Sequence, residues 1–215
     1  MFSAGNHNVS LSGSSSPDFV QLGADIDGEA AGDWSGNSVD ISADGSTVVI
    51  GATRNDGVNG ADSGHARVYQ NVAGAWSQVG EDIDGEAAGD QFGRAVGISA
   101  DGVTVVIGTP VNAGNGTSAG HARVYQNVVG SWVQVGEDID GEAAFDTSGD
   151  SVGISADGRT VVIGAPLNAG NGNNSGHARV YQNITGTWTQ VGPDIDGEAA
   201  GDYSGSSVGI SADGS

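Results

Sequence analysis

Residues 81–136 of the 215-residue chain read EDIDGEAAGDQFGRAVGISADGVTVVIGTPVNAGNGTSAGHARVYQNVVGSWVQVG, and close variants of this stretch lie on both sides of it. The segment DIDGEAA begins at Asp25, Asp82, Asp138 and Asp194, so the unit is about 56 residues long. A repeat of this length is typical of propellers and other repeat architectures. The sequence therefore divides into units at 24–80, 81–136 and 137–192, with a partial unit at 193–215.

Each unit predicts four short β-strands. In the first unit we expect them near residues 38–42, 47–52, 65–70 and 76–79. An Ala-Asp-Gly turn joins the first two strands, and the run Thr-Val-Val-Ile-Gly predicts a second strand that is buried on both faces. No segment shows a sustained helical period, because Gly and Asn interrupt every candidate helix.

The fold class that follows is all-β, a β-propeller-type array of four-stranded antiparallel blades that forms an incomplete ring. The first strand of each blade would line the channel and the fourth would form the rim; a β-sandwich or a linear array is the alternative. We expect a flexible segment at residues 1–16 and a propeller fragment at 17–215, in which residues 18–23 align with the fourth strand of a preceding unit. Since a ring needs about four to eight blades, the partners would include the remaining blades of a longer parent chain, or another copy of this chain.

Composition excludes several classes of function. The chain has 27 acidic and 6 basic residues, a formal net charge of -21, and no cysteine. Nucleic-acid binding needs a positive surface, so we expect no nucleic-acid partner. No stretch approaches the roughly 20 apolar residues of a membrane span, so we expect no membrane insertion. Without cysteine, disulfides and thiolate metal sites are excluded.

The acidic segment of each unit is the candidate metal site. Its pattern Asp-x-Asp-Gly-Glu-x-x-x-Asp places alternating carboxylates on a glycine-bearing loop, which can surround calcium, the one candidate cofactor. The spacing does not match an EF-hand, and a solvated loop whose last Asp caps a turn is the alternative. The single Asp-Gly of each hairpin is too poor in oxygen ligands for a second site. The sixteen candidate ligands are Asp25, Asp27, Glu29, Asp33, Asp82, Asp84, Glu86, Asp90, Asp138, Asp140, Glu142, Asp146, Asp194, Asp196, Glu198 and Asp202.

Histidine, arginine, tyrosine and tryptophan also recur once in each unit. His65, His121 and His177 lie on the third strands of separate blades, so they cannot converge on one metal ion. We expect each to make a polar contact within its blade, while the arginine two residues later pairs with a nearby carboxylate. The repeated Tyr and Trp are expected to pack between blades rather than to form a sugar-binding platform.

The unit resembles the FG-GAP repeat, the blade of integrin α-subunit propellers and of many secreted proteins. The resemblance rests on Phe92-Gly93, on Val-Ile-Gly-Ala-Pro at 162–166, and on the Gly-His-Ala-Arg-Val-Tyr strand at 120–125. It covers roughly residues 18–215, although three units have Ser-Gly where the family has Phe-Gly. It implies a propeller fold and an extracellular or cell-surface location.

We interpret the chain as a non-enzymatic extracellular binding or adhesion repeat module with a protein or glycan ligand at a surface. No catalytic residues are expected, because each acid recurs identically in every unit whereas active sites usually break symmetry. The alternative is the non-catalytic portion of a larger propeller enzyme, such as a lyase or hydrolase. A purely structural spacer is a third possibility.

Overall fold

The computed structural model describes residues 20–215, so the expected N-terminal segment 1–16 lies outside the described residues. Fifteen β-strands form three sheets over the described part of the chain, and no helix occurs there. None of the described residues forms a helix that is long and apolar enough to cross a membrane. The all-β prediction is therefore confirmed.

The three sheets repeat one topology. The first contains β1 (Ser35–Ile41), β2 (Thr47–Ala52), β3 (His65–Val72), β4 (Ala75–Gln78) and β5 (Ile83–Asp84). The second contains β6 (Ala95–Ile98), β7 (Thr104–Thr109), β8 (His121–Val128), β9 (Ser131–Gln134) and β10 (Ile139–Asp140). The third contains β11 (Ser151–Ile154), β12 (Thr160–Ala165), β13 (His177–Ile184), β14 (Thr187–Gln190) and β15 (Ile195–Asp196).

Every pairing within a sheet is antiparallel, in the order first, second, third and fourth strand. The four predicted strands of the first unit agree with β1 to β4 to within a few residues. The fifth strand was not predicted: β5 pairs with the start of β3, through Ile83 with Ala66 and Asp84 with His65. Each sheet therefore extends two residues into the acidic segment of the following unit.

The apolar cores lie between consecutive sheets, as expected of stacked blades. One cluster joins Val49 and Val68 of the first sheet to Phe92, Val105 and Ile107, which lie in or just before the second sheet. An equivalent cluster lies between the second and third sheets. All six residues of β7 and all six of β12 are buried, which confirms that the second strand is covered on both faces.

First strands lie side by side along the array. β1 packs against β6 and β6 against β11. The hairpin turns that follow them are joined by backbone hydrogen bonds, from the Ala43 amide to the Ala100 carbonyl oxygen (3.0 Å) and from Ala100 to Ala156 (2.9 Å). This arrangement is blade-like, and the three sheets do not close a ring among the described residues.

Two glycines bring consecutive blades into close contact. A Cβ atom on Gly108 of β7 would lie 2.0 Å from the carbonyl oxygen of Gly149, which precedes the next sheet. Gly149 itself has a φ of +87°, a conformation that side chains strongly disfavour. The Phe-Gly or Ser-Gly position of each unit is therefore where the chain backbone packs against the preceding blade.

Candidate functional site

The acidic segment is held against the preceding blade by its short fifth strand. Ile83 is buried between sheets, and its pairing with Ala66 brings Asp82 and Asp84 beside His65, the first residue of β3. Burial, and then the neighbouring Asp82 carboxylate, raise the pKa of Asp84 above its usual value. The local fold therefore places the first two acids of the segment at the edge of a sheet.

Each histidine lies between carboxylates from two consecutive acidic segments. The Glu comes from the segment before the blade and the Asp from the segment after it, and we name each such group a His–carboxylate cluster. The three clusters are Glu29, His65 and Asp82; Glu86, His121 and Asp138; and Glu142, His177 and Asp194. The histidines do not converge on one another, as expected, but each lies close to two carboxylates from acidic segments, a grouping that the sequence does not predict.

The histidine side chains of these clusters have polar atoms without hydrogen-bond partners. Each histidine is about 1% exposed, and the Nδ1 atoms of all three make no hydrogen bond with any residue that the structure describes. His65 Nδ1 lies 3.7 Å from Glu29 Oε2 and 3.6 Å from Asp82 Oδ2, beyond normal hydrogen-bond distance. Burial lowers the pKa of His65 and of His121, so both imidazoles are held in the neutral form.

An arginine borders every cluster, but only in the middle cluster does it donate hydrogen bonds to the aspartate. Arg123 donates two hydrogen bonds of 2.7 Å to the Asp138 carboxylate and contacts Glu86 as well. Burial opposes ionisation of Asp138, yet the hydrogen bonds from Arg123 and Gln134 outweigh it and lower the pKa of this carboxyl. The expected pairing of arginine with a nearby carboxylate is present here in its strongest form.

In the two outer clusters the arginine leaves the aspartate free. Arg67 donates to the backbone carbonyl oxygen of Asp27 at 2.9 Å and approaches Glu29 at 3.8 Å. Arg179 does the same with the Asp140 carbonyl oxygen (2.7 Å) and with Glu142 (3.6 Å). The three clusters share one composition but differ in how their aspartate is engaged.

The last acid of each segment caps a turn, as the alternative interpretation predicted. The carboxylate of Asp90 accepts hydrogen bonds from the Ala87 amide (3.1 Å) and from the Asn112 side chain (2.9 Å). Asp33, Asp90 and Asp146 are buried and make the same pair of contacts. These residues have a structural role in the loop.

The acids of one segment therefore do not share one set of surroundings. In the segment that begins at Asp82, this residue faces His65, Glu86 belongs to the cluster of His121, and Asp90 caps a turn. The sixteen predicted ligands divide along these lines, and calcium binding by the segments stays a prediction. The single Asp of each hairpin, such as Asp157, accepts hydrogen bonds from the turn itself.

A second repeated feature is a cavity that lies between an acidic segment and aromatic side chains. We name it the interblade cavity. The cavity bordered by Asp82, Asp84, Tyr125 and Trp132 has a volume of about 380 Å3. Equivalent residues line the cavity at Asp25, Asp27, Tyr69 and Trp76 (about 460 Å3) and the cavity at Asp138, Asp140, Tyr181 and Trp188 (about 370 Å3).

The aromatic residues of the cavities also join the blades, as the sequence predicted. Trp132 packs against the core between the first two sheets, and its indole Nε1 donates to the Val79 carbonyl oxygen at 2.7 Å. Tyr125 packs edge-on against Phe92, with ring centroids 6.4 Å apart. One face of each ring therefore stabilises the array while the half-buried remainder borders the cavity.

Residues that do not repeat have local structural partners. Arg94 forms an ion pair of 3.0 Å with Asp150, and the Arg54 guanidinium lies 3.8 Å over the Trp34 ring. Asp40 accepts a hydrogen bond from the Ile98 amide. Their polar groups are thus engaged in holding neighbouring blades and loops together.

Two segments, residues 25–69 and 82–125, match the family model described as an FG-GAP repeat. No curated protein sequence is significantly similar to this chain. A proposed 6-phosphogluconolactonase from Bacteroides uniformis is similar in structure, with a TM-score of 0.50 and 15% identity over 74% of this chain and 40% of that chain.

Two further solved structures are similar at lower scores. Hydrazine synthase from Kuenenia stuttgartiensis has a TM-score of 0.45 and 14% identity over 74% of this chain and 36% of that one. Sqt1 from Saccharomyces cerevisiae has a TM-score of 0.48 and 14% identity over 77% of this chain and 36% of that one. The chain thus spans about 40% or less of the length of these structures. The 15% identity with the proposed lactonase indicates a shared fold alone.

Proposed function

Since this chain carries FG-GAP repeats, we propose that it is a non-enzymatic binding module of an extracellular or cell-surface protein, whose ligand occupies the interblade cavities. One observation carries the proposal: the same residue types line three cavities of similar volume. Repetition suits multivalent binding, in which weak sites add up to strong attachment. It does not suit catalysis, in which nucleophile, base and electrophile have different tasks.

Charge and aromatic content favour a basic protein as the ligand. Each cavity combines two aspartates with a tyrosine and a tryptophan, so a lysine or arginine side chain would meet both carboxylates and aromatic faces. The net charge of -21 attracts such a partner over distance, and aromatic residues are enriched at protein-binding hot spots. A glycan is the second class of ligand that aromatic and carboxylate groups would suit.

Location and blade partners belong to the same proposal. The extracellular assignment is supported by the repeat family and by an acidic chain without lysine. Val39 and Ile41 of β1 are 59% and 52% exposed, whereas their equivalents Val96 and Ile98 in β6 are 7% and 6% exposed. Ile195 is likewise 58% exposed and its equivalent Ile83 is 4% exposed. We infer that both end faces pack against further blades, in a longer parent chain or in another copy.

Surface plasmon resonance with an immobilised chain tests the ligand class. The probes are a lysine-rich peptide, the same peptide with serine in place of lysine, and a panel of neutral oligosaccharides. Asp84→Asn removes one charge inside a cavity, and Asp62→Asn removes one charge from an exposed loop outside the cavities. We expect binding of the lysine peptide that weakens with salt and is reduced by Asp84→Asn more than by Asp62→Asn.

If Asp84→Asn and Asp62→Asn reduced peptide binding equally, the interaction would depend on overall charge, and binding in the cavities would be contradicted. Oligosaccharide binding without peptide binding would replace the basic protein by a glycan. The alternative, a non-catalytic portion of a larger propeller enzyme, predicts instead that this chain binds neither the lysine peptide nor the oligosaccharides.

A further inference from the structure

We propose that two of the three His–carboxylate clusters, those of His65 and His177, each bind one divalent transition metal ion, for which zinc is the probe. The third, that of His121, is closed to metal by Arg123. This inference goes beyond the proposed function, because it concerns a metal ion held at a buried histidine. The two proposed metal sites share one residue, Asp82, with an interblade cavity.

Unsatisfied buried nitrogen atoms are the first observation. His65 is about 1% exposed, yet its Nδ1 atom has no hydrogen-bond partner within residues 20–215 and faces Glu29 and Asp82. Buried polar atoms in native proteins are nearly always paired, so an unpaired imidazole between two carboxylates needs an explanation. His177 Nδ1 is unpaired in the same way, between Glu142 and Asp194.

Distances within the clusters are the second observation. His65 Nδ1 lies 3.7 and 3.6 Å from the nearest carboxylate oxygens, and His177 Nδ1 lies 3.9 and 3.7 Å from its own. These gaps are too long for hydrogen bonds. Ligand atoms about 2.0–2.1 Å from a tetrahedral zinc ion are about 3.4 Å from one another. The three ligand atoms of each cluster all lie within 4.8 Å of one another, so binding an ion requires them to move closer together.

The donor atoms decide the class of metal. Calcium and magnesium prefer sites made only of oxygen atoms, whereas a neutral imidazole with carboxylates suits zinc and its first-row neighbours. The Asp and Glu carboxylates supply the negative charge that the ion compensates.

Arg123 distinguishes the middle cluster from the other two. It donates hydrogen bonds to both oxygen atoms of Asp138 and contacts Glu86, so the positive charge that this cluster requires is already present. In the outer clusters Oδ1 of Asp82 and Oδ1 of Asp194 each accept a hydrogen bond from a glutamine, while Oδ2 stays directed at the histidine. Arg67 and Arg179 approach only the glutamates of the outer clusters, so among the described residues Oδ2 of Asp82 and Oδ2 of Asp194 accept no hydrogen bond, whereas both oxygen atoms of Asp138 do.

A metal ion in an outer cluster would connect the acidic segments on either side of one blade. Glu29 precedes the first sheet and Asp82 follows β4, and the histidine between them lies on β3. The ion would thus fix the position of Asp82, which also borders an interblade cavity. Binding of metal ions to the clusters would then control how rigid the acidic segment is.

Equilibrium dialysis of the whole chain against zinc, with elemental analysis, tests the proposal. The dialysis buffer also contains a millimolar excess of calcium, which occupies non-specific carboxylate sites on this acidic surface. We expect two zinc ions per chain, one ion for His65→Gln and for His177→Gln, and two ions for the control variant His121→Gln. Arg123→Gln removes the competing guanidinium, so we expect it to raise the number to three.

Cobalt(II) in place of zinc provides a spectroscopic test. Histidines with a purely structural role would not produce the absorption of bound cobalt. We expect visible absorption of tetrahedral cobalt, lost stepwise in His65→Gln and His177→Gln. Glu29→Gln alters a half-exposed ligand and leaves the buried histidine in place, so it guards against misfolding in the histidine variants. It should weaken zinc binding at one site at least tenfold while the circular dichroism spectrum stays unchanged.

No zinc retained in calcium, or an ion count unchanged by His65→Gln and by Glu29→Gln, would overturn the proposal. Three ions in the unaltered chain, with one lost in His121→Gln, would contradict the role assigned to Arg123.

Discussion

The indole nitrogen of Trp132 donates a hydrogen bond of 2.7 Å to the carbonyl oxygen of Val79, across the boundary between the first two sheets. Trp188 makes the same bond with Val135, and Trp76 with Leu22. The carbonyl acceptor always lies just before the acidic segment that borders an interblade cavity. One tryptophan per unit therefore connects blade packing to the cavity that we propose as the ligand site.

Trp132→Phe should destabilise the chain, because it removes this hydrogen bond and part of the packing against the core between the first two sheets. A net loss of about 1 kcal/mol is expected for the hydrogen bond, with more from the smaller ring. Urea unfolding followed by circular dichroism measures the change. Trp76→Phe is the matched control: its bond is solvent-exposed, so we expect a smaller loss. Equal losses would contradict a special role for the covered interface.

Gly108→Ala should be strongly destabilising. The added Cβ atom would lie 2.0 Å from the Gly149 carbonyl oxygen, so the second and third sheets would have to separate locally. Overpacking of this kind costs about 1–3 kcal/mol. Gly209→Ala serves as the control, since a Cβ atom there meets nothing within 4 Å. A melting temperature of Gly108→Ala equal to that of Gly209→Ala would contradict the close approach of the blades.

Asp157 provides a test based on pH. Hydrogen bonds from Ser155 and from the Arg159 amide lower the pKa of this carboxyl below its usual value. A lowered pKa in the folded state means that the charged carboxylate stabilises the fold above the ordinary pKa of about 4, and that this contribution is lost as the pH falls through the lower folded-state value. Asp157→Ala should therefore cost stability at neutral pH, and the cost should shrink in acid. A cost that does not change with pH would show that the hydrogen bonds do not depend on the charge.

Calcium should stabilise the chain little more than sodium chloride does. The first Asp, the Glu and the last Asp of one acidic segment lie in different surroundings, so we expect screening of repulsion rather than a specific site. Salt at about 1 M shortens the screening length to about 3 Å and should raise the melting temperature nearly as much as millimolar calcium. A calcium-selective rise that Glu86→Gln reduces would instead make the acidic segments calcium sites.

The strands could be predicted because their signals are local. The β-branched run at Thr47 and the alternating run at His65 each specify a strand within a few residues, and the turn between β1 and β2 follows from Asp44-Gly45. The aromatic packing was also predictable, since Trp and Tyr recur once in each unit beside buried strands.

What could not be predicted depends on contacts between units. The pairing of Ile83 with Ala66 forms a strand of two residues in an acid-rich segment, which no local pattern indicates. The first His–carboxylate cluster combines Glu29 and His65 of the first unit with Asp82 of the second, and the three residues are far apart in the chain. Arg123 engages its cluster differently from Arg67, although the surrounding sequences are alike. These contacts join residues of consecutive units, so the sequence of a single unit does not indicate them.

Isothermal titration calorimetry with a short lysine-rich peptide tests the central claim most directly, because the number of sites separates a repeated module from a single site. We predict three equivalent peptide-binding sites per chain. Asp27→Asn, Asp84→Asn and Asp140→Asn are added one after another, and each should reduce the number of sites by one. A single site that is insensitive to all three substitutions would contradict binding in the interblade cavities.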